Sequence, residues 1–308
     1  MIDFMGKKKW FFIASGIITL VGVIFLLAFG MNRGIEFTGG SQITIHFERE
    51  VAQADLRAEM SSLGYNNAVV QKTGEGDFLV TTEQLSDEDV ANIQAALAER
   101  FGEQPSIGEP YTVSGRIASE IEGKASIAVF VAAIGIVLYI TWAFRKLTKP
   151  FRYGVCSIIA LSHDVIVVLG VFSILGFLFN VQIDAMFISG VLTIIGYSVN
   201  DTIVVFDRIR ENLLKNPGAP LEVMVNYSIN ETFARCLNTS LTTLFAILAL
   251  LVLGGATLHN FMLCLLIGVI TGTYSSFAIA SPLLIVWERG TFSRFFRRLI
   301  PKRMPARG

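Results

Sequence analysis

Charged residues are scarce in this sequence. Only 16% of its 308 residues are Asp, Glu, Lys or Arg, against roughly 25% in soluble domains. No Gly-rich loop ending in Lys-Ser or Lys-Thr occurs, which excludes a P-loop as a local ATP site. The three cysteines have no metal-ligand spacing, and a disulfide framework is excluded because no cysteine lies in the polar segment described below. The sequence therefore predicts no enzyme, no cofactor and no metal site.

Long apolar runs are what the sequence has instead. About 20 helical residues cross the ~30 Å hydrocarbon core of a bilayer, and six stretches reach that length: 11–30, 125–144, 153–176, 185–206, 236–255 and 260–287. The first run is too long for a signal peptide, and no small-x-small cleavage site follows it. The sequence predicts a polytopic α-helical membrane protein with six spans.

The basic residues predict the orientation of these spans. Every cluster falls on one side of the membrane, and the two short loops on the other side, "GFLFNVQID" and "GGATLHN", contain no Lys or Arg. By the positive-inside rule, both termini are cytoplasmic. The basic tail 289–308 is expected to contact anionic headgroups, with a ribosome or protein partner as the alternative. Nucleic-acid binding is not predicted, because the positive-inside rule accounts for the positions of the basic residues.

The segment between the first two spans, 31–123, must then lie outside. It carries 6 basic and 16 acidic residues, a formal charge of −10. Alternating and helical patterns give strand, helix, two strands, helix and strand, at 41–47, 52–64, 67–73, 77–83, 86–102 and 107–115. Ser86 is the expected N-cap of the second helix. This βαββαβ order predicts an external ferredoxin-like α+β domain. The other parts of the chain are residues 1–30, which contain the N-terminus and the first span, residues 124–288, which contain spans two to six, and the basic tail 289–308.

A carboxylate inside the fourth span is the main candidate for function. Asp201 lies about 24 Å along its helix from the outer end, where an ionisable group is costly and is usually functional. Tyr197 and Ser198 share its helical face, and Asn200 lies at the edge. We expect this face to meet something polar.

Two further polar positions are candidates within the membrane. Arg235 enters the fifth span at a similar depth and could pair with Asp201, either as a structural ion pair or as part of an ion-carrying site. His163 and Asp164 in the third span form a second titratable site, for which an interhelical packing bond is the alternative. Four charged residues at the exit of the fourth span, together with Asn212, are expected to be solvated or to lie at an interface: Asp207, Arg208, Arg210 and Glu211.

Three sequence blocks resemble the SecD/SecF family of bacterial protein-export subunits. They are "GIEFTGG" at 34–40, "HDV" at 163–165 and "GYSVNDTIVVFDRIREN" at 196–212. The six spans and the single external domain agree with this resemblance, which covers nearly the whole chain. Members belong to the RND superfamily, and a SecF-type chain pairs with SecD to give twelve spans in the inner membrane.

The resemblance also implies a function. Such subunits use a proton gradient, or in some members a sodium gradient, to pull exported polypeptides outward after the SecYEG channel and SecA have begun transport. Asp201 and Arg235 match the family's ion-pathway positions. Movement of Arg235 towards and away from Asp201 would then load and unload the ion, because desolvation opposes the carboxylate charge and a nearby cation favours it.

The two tethers of the external domain are expected to act as hinges, since glycine tolerates large changes in φ and ψ. The first tether contains the motif residues Gly34, Glu36, Phe37, Gly39 and Gly40, and the second is 114–124. For Gly39 and Gly40 a tight turn into the first strand is favoured over a ligand role. Two other functions stay open: half of a small-molecule efflux transporter, and a non-transporting assembly subunit in which Asp201 is structural.

Overall fold

Helix α1 (Lys8–Phe29) is the first of six helices, in the part of the chain that the structure describes, that are long and apolar enough to cross a membrane. The computed structural model describes residues 1–73, 76–145 and 150–288. The predicted basic tail, Lys146 and Lys149 lie outside the described residues.

A small antiparallel sheet follows α1. The chain runs through the elements β1 (Asn32–Arg33), α2 (Ile35–Thr38), β2 (Gly40–His46), α3 (Gln53–Ser62), β3 (Val69–Lys72), β4 (Phe78–Thr82), α4 (Asp87–Phe101), β5 (Ser106–Ile107) and β6 (Tyr111–Val113). The sheet order is β3-β4-β2-β5, and β6 also pairs with β2. The last strand was predicted as one piece but forms two, because Pro110 lies between them and has no N–H to donate to a ladder.

The sheet and its two helices enclose a core of their own. Ile43 and Ile45 of β2 are fully buried, and they pack with Leu56 of α3, Phe78 of β4 and Leu97 of α4. Helix α4 begins with a capping box between Ser86 and Asp89, as the predicted Ser86 N-cap requires.

The remaining membrane helices are longer than their apolar runs. They are α5 (Gly115–Ala143), α6 (Phe151–Phe179), α7 (Ala185–Lys215), α8 (Leu221–Leu253), and a sixth span made of α9 (Ala256–Ser275), a π-helical turn (Ser276–Ala280) and α10 (Ser281–Glu288). The short strand β7 (Gln182–Ile183) precedes α7. Hydropathy detects only the apolar part of each helix, so the predicted starts of α5 and α8 were ten and fifteen residues too late.

Helix α5 corrects the expectation of a second hinge. Ser114 caps its start by accepting a hydrogen bond from the backbone N–H of Ile117, and Glu120 pairs with Lys124 one turn apart at 2.6 Å. Gly115 and Gly123 therefore lie inside a continuous helix that runs from the sheet through the second span. The glycine-hinge expectation is wrong for this tether.

Candidate functional site

Asp201 lies in the interior of the helix bundle. Asp201 is 2% exposed, and one of its carboxylate oxygens lies 3.3 Å from the Ser240 hydroxyl of α8 and 3.4 Å from the Thr273 hydroxyl of α9. The Cys236 thiol is a third partner, and the two hydroxyls are 2.6 Å from each other. Hydrogen bonds to a charged carboxylate are usually 2.5–2.7 Å from a hydroxyl. The Asp201 carboxylate is therefore surrounded by hydroxyls but held loosely.

Asp164 of α6 is held more tightly. It is fully buried, and one of its oxygens accepts hydrogen bonds from Ser198 of α7 at 2.6 Å and from Ser275 of α9 at 2.7 Å. The neighbouring His163 contacts its other oxygen through Nδ1 at 3.0 Å. These short distances are typical of charge-assisted hydrogen bonds.

The two acids belong to one polar core, although the sequence predicted two separate sites. Ser198 and Asp201 are three residues apart on α7, so the residue that binds Asp164 lies one turn from the second acid. Thr202, next to Asp201, bonds Ser276 at 2.8 Å. Thr273 and Ser275, whose hydroxyls contact Asp201 and Asp164 respectively, lie two residues apart on α9, so both acids lie beside the same segments of α7 and α9.

Two glycines allow α9 to approach α7 closely. A Cβ atom on Gly272 would lie 2.9 Å from the Cβ of Ser198, and one on Gly268 would lie 2.2 Å from the Ile194 side chain. Small residues at such contacts let membrane helices pack backbone to backbone. The bonds that Thr273, Ser275 and Ser276 make to the polar core depend on this approach.

The sixth span widens where it reaches the core. The π-helical turn begins at Ser276, and the Ser281 hydroxyl bonds the Ser276 carbonyl oxygen five residues earlier at 2.9 Å. Pro282 follows at once; it lacks an N–H and disfavours regular α-helical bonding to the preceding turn. Single π-helical turns of this kind are frequent at functional sites.

Arg235 does not pair with Asp201 among the described ion pairs. Arg235 is exposed, whereas the next residue, Cys236, is buried against Asp201. Each helical residue advances by about 100°, so the face of α8 that meets Asp201 contains Cys236 and Ser240, and Arg235 points away from it. Tyr197 also reaches this face, with its hydroxyl 3.4 Å from Ser240.

An exposed polar stripe runs along α7 and α8 at membrane depth. On α7 it contains Thr193 and Asn200, and the exposed positions on α8 follow a spacing of three and four residues: Arg235, Asn238, Thr239 and Thr242. Asn200 therefore lies on this outer stripe and not beside Asp201. Polar and charged groups facing lipid are unfavourable, so this stripe requires a protein partner or a water-filled cavity against it.

The charged residues at the end of α7 form a network with α8. Arg208 donates two hydrogen bonds to Glu231, each 2.7 Å long, and it also pairs with Glu211 at 2.5 Å. Asn212 is 4% exposed and donates to Ser228 at 2.9 Å and Glu231 at 2.8 Å. Asp207 and Arg210 pair with each other, 2.7 Å apart, and the Arg210 guanidinium lies 6.0 Å from the centre of the Phe144 ring. Arg208 and Asn212 therefore lie at an interface between α7 and α8, which was one of the two alternatives for this exit.

The glycine motif joins the sheet to the helix bundle. The Gly34 N–H donates to the Ile183 carbonyl oxygen at 2.8 Å, next to the parallel pairing of β1 with β7. Gly39 and Gly40 both have positive φ at the turn into β2, and a Cβ on Gly40 would lie 2.4 Å from the Thr82 carbonyl oxygen. Phe37 packs against the apolar core of the membrane helices.

Glu36 lies in the same junction. Burial raises the pKa of its carboxyl above the ordinary value of 4.5, and the charge of Asp184 adds to this effect. Asp184 caps the start of α7 by accepting a hydrogen bond from the Phe187 N–H at 2.7 Å, and burial raises its pKa as well.

Comparison with known families gives two matches. The model described as "Protein export membrane protein SecD/SecF, C-terminal" matches residues 93–290, and the model of the SecD/SecF GG motif matches residues 24–51. The chain belongs to the SecD/SecF family. The junction motif at 34–40 and the helices of the polar core thus fall within regions shared by SecD/SecF proteins.

Individual SecD/SecF proteins resemble this chain over nearly its whole length. Protein translocase subunit SecF of Thermobaculum terrenum is 43% identical over 98% of this chain and 99% of the relative, and that of Anaerolinea thermophila is 40% identical over 97% and 98%. The crystal structure of SecDF from Thermus thermophilus, a translocon-associated membrane protein, has a TM-score of 0.83 at 36% identity. The match covers 94% of this chain but only 39% of that SecDF chain.

The predicted residues of this SecD/SecF-family chain thus fall into distinct groups. Tyr197, Ser198 and Asp201 lie in or beside the polar core with Asp164 and His163, whereas Asn200 and Arg235 lie on the exposed stripe. Sequence reasoning missed the hydroxyls that hold the two acids: Ser240, Thr273, Ser275 and Ser276. Their signal was present, since serine and threonine are concentrated at 239–243 and 271–276, but no acid stands beside them in the sequence.

Proposed function

We propose that this chain is the SecF-type half of a protein-export machine in the bacterial inner membrane, driven by a proton or sodium gradient. The observation that carries the proposal is the loosely held carboxylate of Asp201. A carboxylate in a low-dielectric interior is stable only when it is protonated, binds a cation or pairs with a positive side chain. Long bonds from neutral hydroxyls let the carboxylate accept and release such a partner.

The exposed stripe supports a SecD-type subunit as the partner. Asn200 and Arg235 face outward at membrane depth, and the family's SecDF proteins carry a longer chain than this one. Covering the stripe with the partner's helices removes polar groups from lipid. In this arrangement Arg235 serves as a mobile cation of the shared interface, which approaches Asp201 only in part of the transport cycle.

The sheet between α1 and α5 is the moving part that we assign to polypeptide handling. Its order β3-β4-β2-β5 and its βαββαβ chain path support an external ferredoxin-like domain of residues 31–123. With both termini in the cytoplasm, this domain faces outward, where it receives exported polypeptides after SecYEG and SecA have acted. Asp164, which Ser198 links to α7, then transmits the state of Asp201 to α6 and α9.

The test is gradient-driven export in membrane vesicles. We expect Asp201→Asn to assemble with its partner yet to lose the gradient-dependent part of export, because an amide cannot take up or release a proton or cation. Asp207→Asn is the matched control, since Asp207 lies on the same helix, is exposed and pairs with Arg210 of that helix. Normal gradient-dependent export by an assembled Asp201→Asn complex would refute the ion-carrier role and leave the assembly role.

A further inference from the structure

An apolar cavity of about 300 Å³ lies between α1, α8 and α9. Its walls are aromatic and aliphatic, and its rim includes Leu241 and Ile270, which are 47% and 52% exposed. At its base are Ser240 and Thr273, the two hydroxyls that bond Asp201. The cavity therefore reaches from the outer surface of the bundle to the partners of the buried acid.

The cavity is separate from the exposed polar stripe. Leu237, Leu241 and Leu244 line it from α8, and at about 100° per residue they lie on the opposite side of that helix from Arg235 and Thr242. A partner that covers the polar stripe therefore leaves this cavity open to the lipid.

The amino-terminal segment places positive charge at one end of the cavity. Residues 2–5 are held on α8 by Asn226 and Asn230, whose side-chain oxygens accept hydrogen bonds from Phe4 at 2.9 Å and Ile2 at 2.7 Å. Phe4 and Phe11 both line the cavity. Between them in the sequence lies Lys7, an exposed residue at the start of α1 whose carbonyl oxygen accepts a hydrogen bond from the Phe11 N–H at 3.3 Å.

We propose that one acyl chain of an anionic phospholipid occupies this cavity, with its phosphate beside Lys7. Apolar cavities of even about 150 Å³ stay dry and accept apolar guests, and an acyl chain is the apolar molecule present at an opening between membrane helices. A lysine at the membrane surface favours anionic over neutral headgroups. The bound chain would end against Ser240 and Thr273 and would shield the Asp201 site from water on its lipid side.

The experiment uses the full chain reconstituted in phosphatidylcholine bilayers. A phosphatidylglycerol probe with a photoreactive group near the end of one acyl chain is compared with a phosphatidylcholine probe that carries the same acyl chain. We expect adducts at Leu237 and Leu241 that Leu241→Trp abolishes, because the indole fills the cavity. Leu248→Trp is the matched control: Leu248 is an exposed leucine on the same helix, seven residues further along and outside the cavity.

Charge and protein partners are tested separately. We expect Lys7→Gln to reduce the preference for the phosphatidylglycerol probe by about fivefold while adducts from both probes remain. Equal labelling of all exposed leucines of α8, unchanged by Leu241→Trp, would mean ordinary surrounding lipid and would overturn the proposal. A cysteine at Leu241 that cross-links to another protein in native membranes would also overturn it, because a helix would then occupy the opening.

Discussion

Replacing Gly272 with alanine tests whether the close approach of α7 and α9 holds the polar core together. The new Cβ would lie 2.9 Å from the Cβ of Ser198 and 3.2 Å from its Cα. Carbon atoms in contact are separated by about 3.5–4.0 Å, so the two helices must move apart by roughly 0.6 Å or more. Ser198 bonds Asp164, and the neighbours Thr273 and Ser275 bond the two acids, so this movement stretches the bonds to both.

The expected cost can be compared with the gain from alanine in a helix. Overpacking of a close contact costs about 1–3 kcal/mol, and alanine gains about 0.5–1 kcal/mol over glycine in a helix interior. We therefore expect Gly272→Ala to lower the free energy of unfolding by up to about 2 kcal/mol. Gly135→Ala in α5 is the control: a Cβ there meets no atom within 4 Å, so that change should be neutral or stabilising.

The assay is equilibrium unfolding of both variants in the same detergent, with gradient-driven export measured in parallel. We expect the two variants to change stability in opposite directions and only Gly272→Ala to reduce export. If Gly272→Ala were as stable as Gly135→Ala and exported normally, the close contact would not determine the geometry of the polar core.

Three further changes test other parts of the structure. Arg208→Lys should lower the unfolding midpoint modestly, because lysine cannot form both bonds to Glu231. Glu36→Gln should remove a pH dependence of thermal stability: with a raised folded-state pKa, the contribution of Glu36 is present at low pH and is lost as pH rises through that pKa. Asn226→Ala should speed amide hydrogen exchange at Phe4 and Met5, because the side-chain acceptor of their N–H groups is lost.

Each of these changes has a matched control in the chain. Arg210→Lys should have little effect, because Arg210 pairs with Asp207 on its own helix. Glu48→Gln changes an exposed acid of the sheet region and should leave the pH dependence intact. Asn238→Ala lies on the exposed polar stripe, twelve residues from Asn226, and should not alter exchange at Phe4 and Met5. A variant that matched its control would contradict the role assigned to that residue.

The sequence predicted the fold well because its patterns are strong and local. Six long apolar runs and the alternation of β2 left few alternatives, and Ser86 was predicted as the cap that α4 uses. The helix ends were less accurate, since the polar turns that extend α5 and α8 beyond the apolar runs carry no hydropathy signal. Pro110, which divides the last strand, is itself a sequence signal, since proline cannot donate to a ladder.

The polar core was harder to predict because it depends on helix rotation. If Arg235 is taken to face Asp201, the polar residues of α8 on the same face are Asn238, Thr239 and Thr242. In the structure, Cys236 and Ser240 face Asp201 instead. The difference is one residue, or about 100° of rotation, and both faces contain hydroxyl groups. Only packing against α9, which the glycines permit, decides between them. The hydrogen bond between Asp164 and Ser198 likewise depends on how α7 is rotated about its axis.

The continuous helix α5 limits how the sheet can move relative to the membrane. Its 29 residues extend about 44 Å at 1.5 Å per residue, which exceeds the ~30 Å hydrocarbon core, so roughly 14 Å of rigid stalk stands beneath the sheet. A tilt of about 10° about the far end would displace the top of that stalk by about 8 Å. The pairing of β1 with β7 anchors the sheet at a second point, so such a tilt would become a rotation about that anchor. Small angular changes among the membrane helices would then displace the sheet by several ångströms.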